Sequence, residues 1–215
     1  MKQFFLTLLL CTAQLVNAQV YSYFFEVPVP PNWSETGVIE KQFYGTYTSD
    51  SDRKIIVNEA GIFTENTLVL KISRETVRES SQYKLKGDYL FGVMENDSVL
   101  CVLNDEHYYY QLTDLVAWWT PNKQDVLLQK GGEFYLNKFE YDAFTPMKLV
   151  FSRGELIVHP FDYVQETTVF NHIKQRKEQE EQDVLKVVLT PTKKEWGLIN
   201  PTEMFAQPEV YKVKE

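Results

Sequence analysis

A catalytic or metal site is assembled from histidines, cysteines and paired carboxylates, and in this chain those residues are scattered. His107, His159 and His172 lie far apart, and no two have the spacing at which zinc ligands occur. His159, with Asp162 shortly after it, is the nearest approach to an acid–base pair, although a histidine just before Pro160 also reads as an ordinary strand terminus. Glu140 and Asp142 flank Tyr141, so on an extended chain both would project to one side, as glycoside chemistry requires; a solvated strand end explains them equally well. Asp50 and Asp52 open like a calcium loop, but the third acid, the glycine and the closing glutamate are missing. The glycine-rich phosphate loops, the nucleophile elbow and the H-E-x-x-H zinc motif are absent. The sequence therefore predicts no catalytic residue, no metal site and no cofactor. A small exported hydrolase using strand-end carboxylates or His159 is the alternative.

The aromatic clusters suggest recognition. Tyr108-Tyr109-Tyr110 and Trp118-Trp119 sit in short apolar segments, and on a strand successive side chains alternate between faces. At least one ring of each cluster must then leave the main core. Outward tyrosine and tryptophan offer flat contact area with a polar handle, which suits recognition surfaces. Trp118, Trp119, Tyr108, Tyr109 and Tyr110 are accordingly the candidate ligand-binding residues. Burial of both sheet faces, one of them under the C-terminal segment, would account for the same pattern.

The elements that would carry these rings are strands. From Gln82 to Leu112, four short apolar or aromatic segments are separated by Gly87-Asp88, Glu95-Asn96-Asp97 and Asn104-Asp105-Glu106. Asn, Asp and Gly tolerate positive φ, and segments this short are strands rather than helices. The same rhythm runs from Ile39 to Pro160, with further turns at Ser49–Asp52, Gly131-Gly132 and Arg153-Gly154. The fold class predicted is all-β, mainly an antiparallel meander, either barrel-like or a two-sheet sandwich, with one charged C-terminal helix. That helix is placed on Asn171 to Asp183, a run of Lys, Arg, Glu and Gln with Asn171 as a cap. Val184 to Thr190 follows as a last strand, and the remainder as an irregular tail.

The expected organisation is a signal peptide over residues 1–18, an N-terminal arm and proline-rich connector over 19–38, the meander body over 39–160, and a helix, closing strand and irregular tail over 161–215 packed on the same domain. Lys2, the apolar run Phe4 to Leu10, and Val16-Asn17-Ala18 have the anatomy of a secretory leader cut after Ala18. Only Cys101 would survive that cut, which favours a periplasmic or cell-surface setting over a disulfide scaffold. A formal net charge of −8 argues against nucleic acid as a partner. No later stretch is apolar for long enough to be a transmembrane helix. The function expected is binding of a small apolar ligand, a glycan or a protein partner through an aromatic-lined face or cavity.

Overall fold

The computed structural model describes residues 20–94, 97–121, 123–162, 168–181, 184–199 and 201–213. The expected leader and its cut after Ala18 lie outside the described residues. In chain order the first elements are β1 (Val20–Phe25), β2 (Ser34–Glu35), β3 (Gly45–Ser49), β4 (Lys54–Asn58), β5 (Gly61–Ser73) and the short helix α1 (Arg74–Glu79). Next come β6 (Lys84–Lys86), β7 (Tyr89–Met94), β8 (Asp97–Asn104), β9 (His107–Trp119), β10 (Val126–Lys130) and β11 (Glu133–Glu140). The last are β12 (Ala143–Ser152), β13 (Glu155–His159), β14 (Arg176–Glu181), β15 (Val184–Leu189), α2 (Lys193–Trp196), α3 (Pro201–Met204) and β16 (Glu209–Val213). The all-β, largely antiparallel meander predicted from the turn spacing is what forms. No described helix is long and apolar enough to cross a membrane.

The chain folds into two compact units, one from the residues up to 37 together with 123–210, the other from 38–121 with 211–213. In the first, β11 and β12 pair along eight positions, from Glu133↔Val150 to Glu140↔Ala143. β10 continues from β11, and β13 lies beside the later half of β12. β1 touches β12 at Phe25↔Phe144 and runs parallel to β15 along its whole length. The aromatic first segment thus becomes an interior strand. Its Tyr23 and Phe25 enter a core that also holds Tyr135, Phe170, Val187, Leu189 and Phe205. Trp196 of α2 packs edge-on against Phe25, so the tail docks on the unit that its own strand β15 completes.

Among the described residues, one polar side chain is buried in that unit. Asn137 Oδ1 accepts the Val29 N–H at 2.9 Å, and its Nδ2 donates to the Val29 carbonyl at 2.9 Å and to the Tyr135 carbonyl at 3.3 Å. The proline-rich connector, which has few backbone donors of its own, is held at Val29 by this amide.

The charged C-terminal helix is corrected by the structure. Arg176–Glu181 is a strand, β14, paired antiparallel with β15 from Arg176↔Leu189 to Glu181↔Val184. Helix propensity is a weak local preference, and this run has no apolar stripe by which a helix could pack. The preceding residues also set the outcome. Phe170 and Ile173 are both buried in the core and close a tight turn through the Ile173 N–H and the Phe170 carbonyl, 3.0 Å apart. The chain leaves that turn extended, and β15 offers it a full ladder of backbone partners. As an edge strand of charged residues, β14 discourages pairing by further strands.

In the second unit, β3, β4 and β5 form a meander, and β16 joins β3 through Tyr211↔Ser49 to Val213↔Tyr47. β5 and β9 pair from Ile62↔Trp119 to Ser73↔His107. Beyond Thr64, where β4 ends, β5 becomes the margin of a second meander in the order β5-β9-β8-β7-β6. Neither unit's strand path closes on itself, so among the described residues the barrel-like alternative does not form.

Candidate functional site

Strand β8 carries an unbroken apolar run, Val99-Leu-Cys-Val-Leu103. Such a run usually marks a strand covered on both faces. Here the faces part company over Val99 to Val102: Val99 and Cys101 are buried, whereas Leu100 and Val102 are 61% and 64% exposed, and only at the end of the run does the covered side open, with Leu103 47% exposed. The buried side has its own small core of Val77, Leu90, Val99 and Cys101, with Ile72, Tyr83, Tyr108, Tyr110 and Leu112 packed against it. Helix α1 is set over this side by two contacts. Ser73 Oγ accepts the Thr76 N–H at 3.0 Å as an N-cap, and the Arg74 N–H donates to the Glu106 carbonyl at 2.8 Å. Val77 is then directed into the small core.

The cross-strand register extends the exposed side over all five strands, a width of roughly 20 Å at the usual strand spacing. Val102, Tyr109 and Lys71 share one row, and Lys86, Tyr89 and Leu100 share another. Lys84, Phe91 and Ser98 form a third. Val69, 64% exposed, lies across from Gln111 on the same side. Tyr89, Phe91 and Tyr109 are all exposed as well. Six large apolar side chains therefore face outward side by side, beyond the single exposed hydrophobics that any surface carries.

The predicted recognition residues divide between places. Tyr109 belongs to the exposed face, with the His107 ring beside it at 6.4 Å. Tyr108 and Tyr110 point the other way, onto the small core. Trp119 is buried opposite Ile62 and Trp118 is half-buried, both roughly 30 Å along β9 from Tyr109. Tyr89, Phe91, Leu100, Val102 and Val69 were not singled out by the sequence. Aromatic doublets and triplets stand out by eye, whereas an apolar run such as β8 does not reveal that one of its faces is bare.

A cavity of about 720 Å³ opens on the α1 side of the same sheet. Its lining combines two arginines (Arg74, Arg78), two glutamates (Glu75, Glu106) and the Tyr108 ring, so its formal charges cancel. His159 ends β13, with its ring 6.1 Å from Phe205 and its backbone paired with that of Lys148. Burial first, then the Lys148 cation, holds its pKa below the ordinary histidine value, while Glu133 opposes them. Glu133 is itself engaged with Lys148 at 3.2 Å. Glu140 and Asp142 do not share a strand side: Tyr141 and Asp142, at φ 53° and 57°, are the turn that joins β11 to β12. Among the described residues, no three His, Cys, Asp or Glu are grouped to hold a metal ion.

Cys101 tests the two-faced sheet directly. Its thiol is buried, and burial, followed by the nearby Asp88, raises its pKa. It is expected to react with a maleimide roughly 100-fold more slowly in the native protein than in urea, because reaction must await local opening. A cysteine placed at Val102, one residue on, is expected to label at the rate of a free thiol. Mass spectrometry of timed samples reads both rates, and fast native labelling of Cys101 would mean that the small core does not cover its thiol.

No protein-family model matches this chain, and comparison with curated proteins and with solved structures gives no significant match either.

Proposed function

We propose that this is an exported, non-catalytic binding protein that recognises a protein partner through the exposed face of β5-β9-β8-β7-β6. The observation that carries the reading is the division of β8. One side has a core of its own, so the bare side is not left over from incomplete packing of a small sheet. Small-molecule sites are concave and enclose their ligand, whereas this face is a run of strands whose exposed apolar rows resemble the apolar centre of a protein–protein contact. The anatomy of residues 1–18 and the single cysteine after Ala18 support the export part of the reading. The hydrolase alternative gains no support from the placements of His159, Glu140 and Asp142.

The test places a photo-crosslinking amino acid at Val102 and, as a control, at the exposed turn residue Asp50, in the cells that make the protein. One discrete adduct is expected from position 102 and none from position 50. Excess purified wild-type protein should compete the adduct away, and a Leu100→Gln/Val102→Gln double variant should not. Equal adducts from both positions, or equal competition by both proteins, would overturn the assignment of the face.

A further inference from the structure

We infer that the partner meeting this face presents an apolar strip bordered by carboxylates: the face has an apolar centre with lysines on both of its margins and no free carboxylate among its rows. The inference rests on the binding face proposed above and specifies the chemistry of its occupant. Beyond Thr64 the margins of the five-stranded sheet are β5 and β6. Lys71 stands on the first, and Lys84 and Lys86 stand on the second, all three exposed and on the same side as Leu100 and Val102. None of the three forms an ion pair with another described residue. Among the described residues, Glu65 is the one acid whose register places it on this side; it lies far along β5 and is ion-paired with Lys54. In a chain whose formal net charge is −8, the rows of this face thus hold lysines and no free carboxylate, the acids Asp88, Asp105 and Glu106 being confined to the turns at the strand ends.

An apolar centre with a charged rim is the anatomy of a transient protein interface, in which the rim sets partner choice and encounter rate. A second copy of this chain does not fit. In a two-fold contact the same patch meets itself, which brings the lysine margins of both copies into one interface. An anionic bilayer is the other surface that attracts lysine beside aromatic rings. The acidic remainder of the chain opposes that approach at long range.

The experiment uses the full chain and a synthetic 18-residue peptide that forms a helix with a leucine stripe flanked by glutamates. Its partner peptide replaces every flanking glutamate with lysine. Fluorescence anisotropy at low salt is expected to show binding of the glutamate peptide, weakened roughly tenfold by Lys71→Glu/Lys84→Glu/Lys86→Glu and weakened also by 0.5 M NaCl. The charge-reversed protein is expected to prefer the lysine peptide, an exchange that a misfolded variant would not show. Leu100→Gln/Val102→Gln is expected to abolish binding of both peptides.

If the apolar variant abolishes binding while charge reversal leaves it unchanged, the acidic partner is wrong and the binding face stands. If neither variant changes binding, or neither peptide binds, both are wrong. Sedimentation of the wild type as a dimer that Leu100→Gln/Val102→Gln dissolves would make a second copy the occupant and overturn the inference. Lysine-dependent binding to phosphatidylglycerol/phosphatidylcholine vesicles without binding of the glutamate peptide would overturn it in favour of a membrane.

Discussion

Replacing Asn137 with Leu is expected to lower the unfolding free energy of the unit that contains it by about 3–5 kcal/mol. Leucine matches asparagine in number of side-chain heavy atoms and branch point, but it is bulkier, so some overpacking of this fully buried site adds to the cost. The Val29 N–H and the Val29 carbonyl lose their amide partner together. Leaving a buried polar group unsatisfied costs about 1–3 kcal/mol, and here two are stranded in a place that water does not reach without opening the core. Asn137→Asp is expected to be nearly as damaging. It retains an acceptor for the Val29 N–H but turns an oxygen toward the Val29 and Tyr135 carbonyls, which now receive a donor. Urea unfolding followed by tryptophan fluorescence decides the matter, because Trp33 and Trp196 both pack against this core. An unchanged midpoint for Asn137→Leu would mean that the connector is held by other contacts.

Gly92→Ala is expected to release β6 from β7. Gly92 lies at φ 90° in the irregular stretch between Phe91 and Met94, where the β7–β8 register shifts. A Cβ added there would stand 2.1 Å from the Gln82 carbonyl oxygen, which is backbone and cannot swing aside. Strain at a positive φ together with that collision is expected to destabilise the hairpin by about 2–4 kcal/mol. Gly87→Ala supplies the control. Its φ is 60°, but nothing lies within 4 Å of its added Cβ, so only the conformational part remains. Hydrogen exchange is the measurement: the amides of β6 should lose protection in Gly92→Ala and keep most of it in Gly87→Ala. Because β6 carries Lys84 and Lys86, the same variant should weaken binding of an acidic partner with every lysine still in place. Equal protection of β6 in both variants would show that the hairpin accommodates a side chain at position 92.

The hairpins were legible because their turns carry local chemistry. Gly87-Asp88, Asn104-Asp105, Gly131-Gly132 and Arg153-Gly154 all lie where strands reverse. Tyr141-Asp142 is the instructive exception, since a tyrosine at positive φ advertises no turn. Read as extended, it made a false carboxylate pair of Glu140 and Asp142. The joining of Gly61 to Ser73 into one thirteen-residue strand was also hidden, because its continuity comes from pairing with a strand more than thirty residues further on. The charged run at Arg176 misled for a related reason: local propensity speaks for a helix, and only the presence of β15 provides the alternative. For the binding face, composition gave the residue types and no more. Which rows of β5-β9-β8-β7-β6 stay uncovered depends on where α1 lies, and α1 is fixed by a serine cap and one backbone hydrogen bond to a distant turn.

The parallel pairing of β1 with β15 governs when the molecule can be finished. Glu26 and Thr190, 164 positions apart, are joined by a side-chain hydrogen bond at the end of that ladder. Contacts of such sequence separation form late, because the entropy of closing the intervening loop must be met first. The hairpins from β3 to β9 need no such wait and can zip as they emerge. A chain delivered N-terminus first would therefore hold Tyr21 to Phe25 without their β15 partner until Leu189 has followed, and that sticky aromatic segment is where assistance by a chaperone, or aggregation in its absence, would begin.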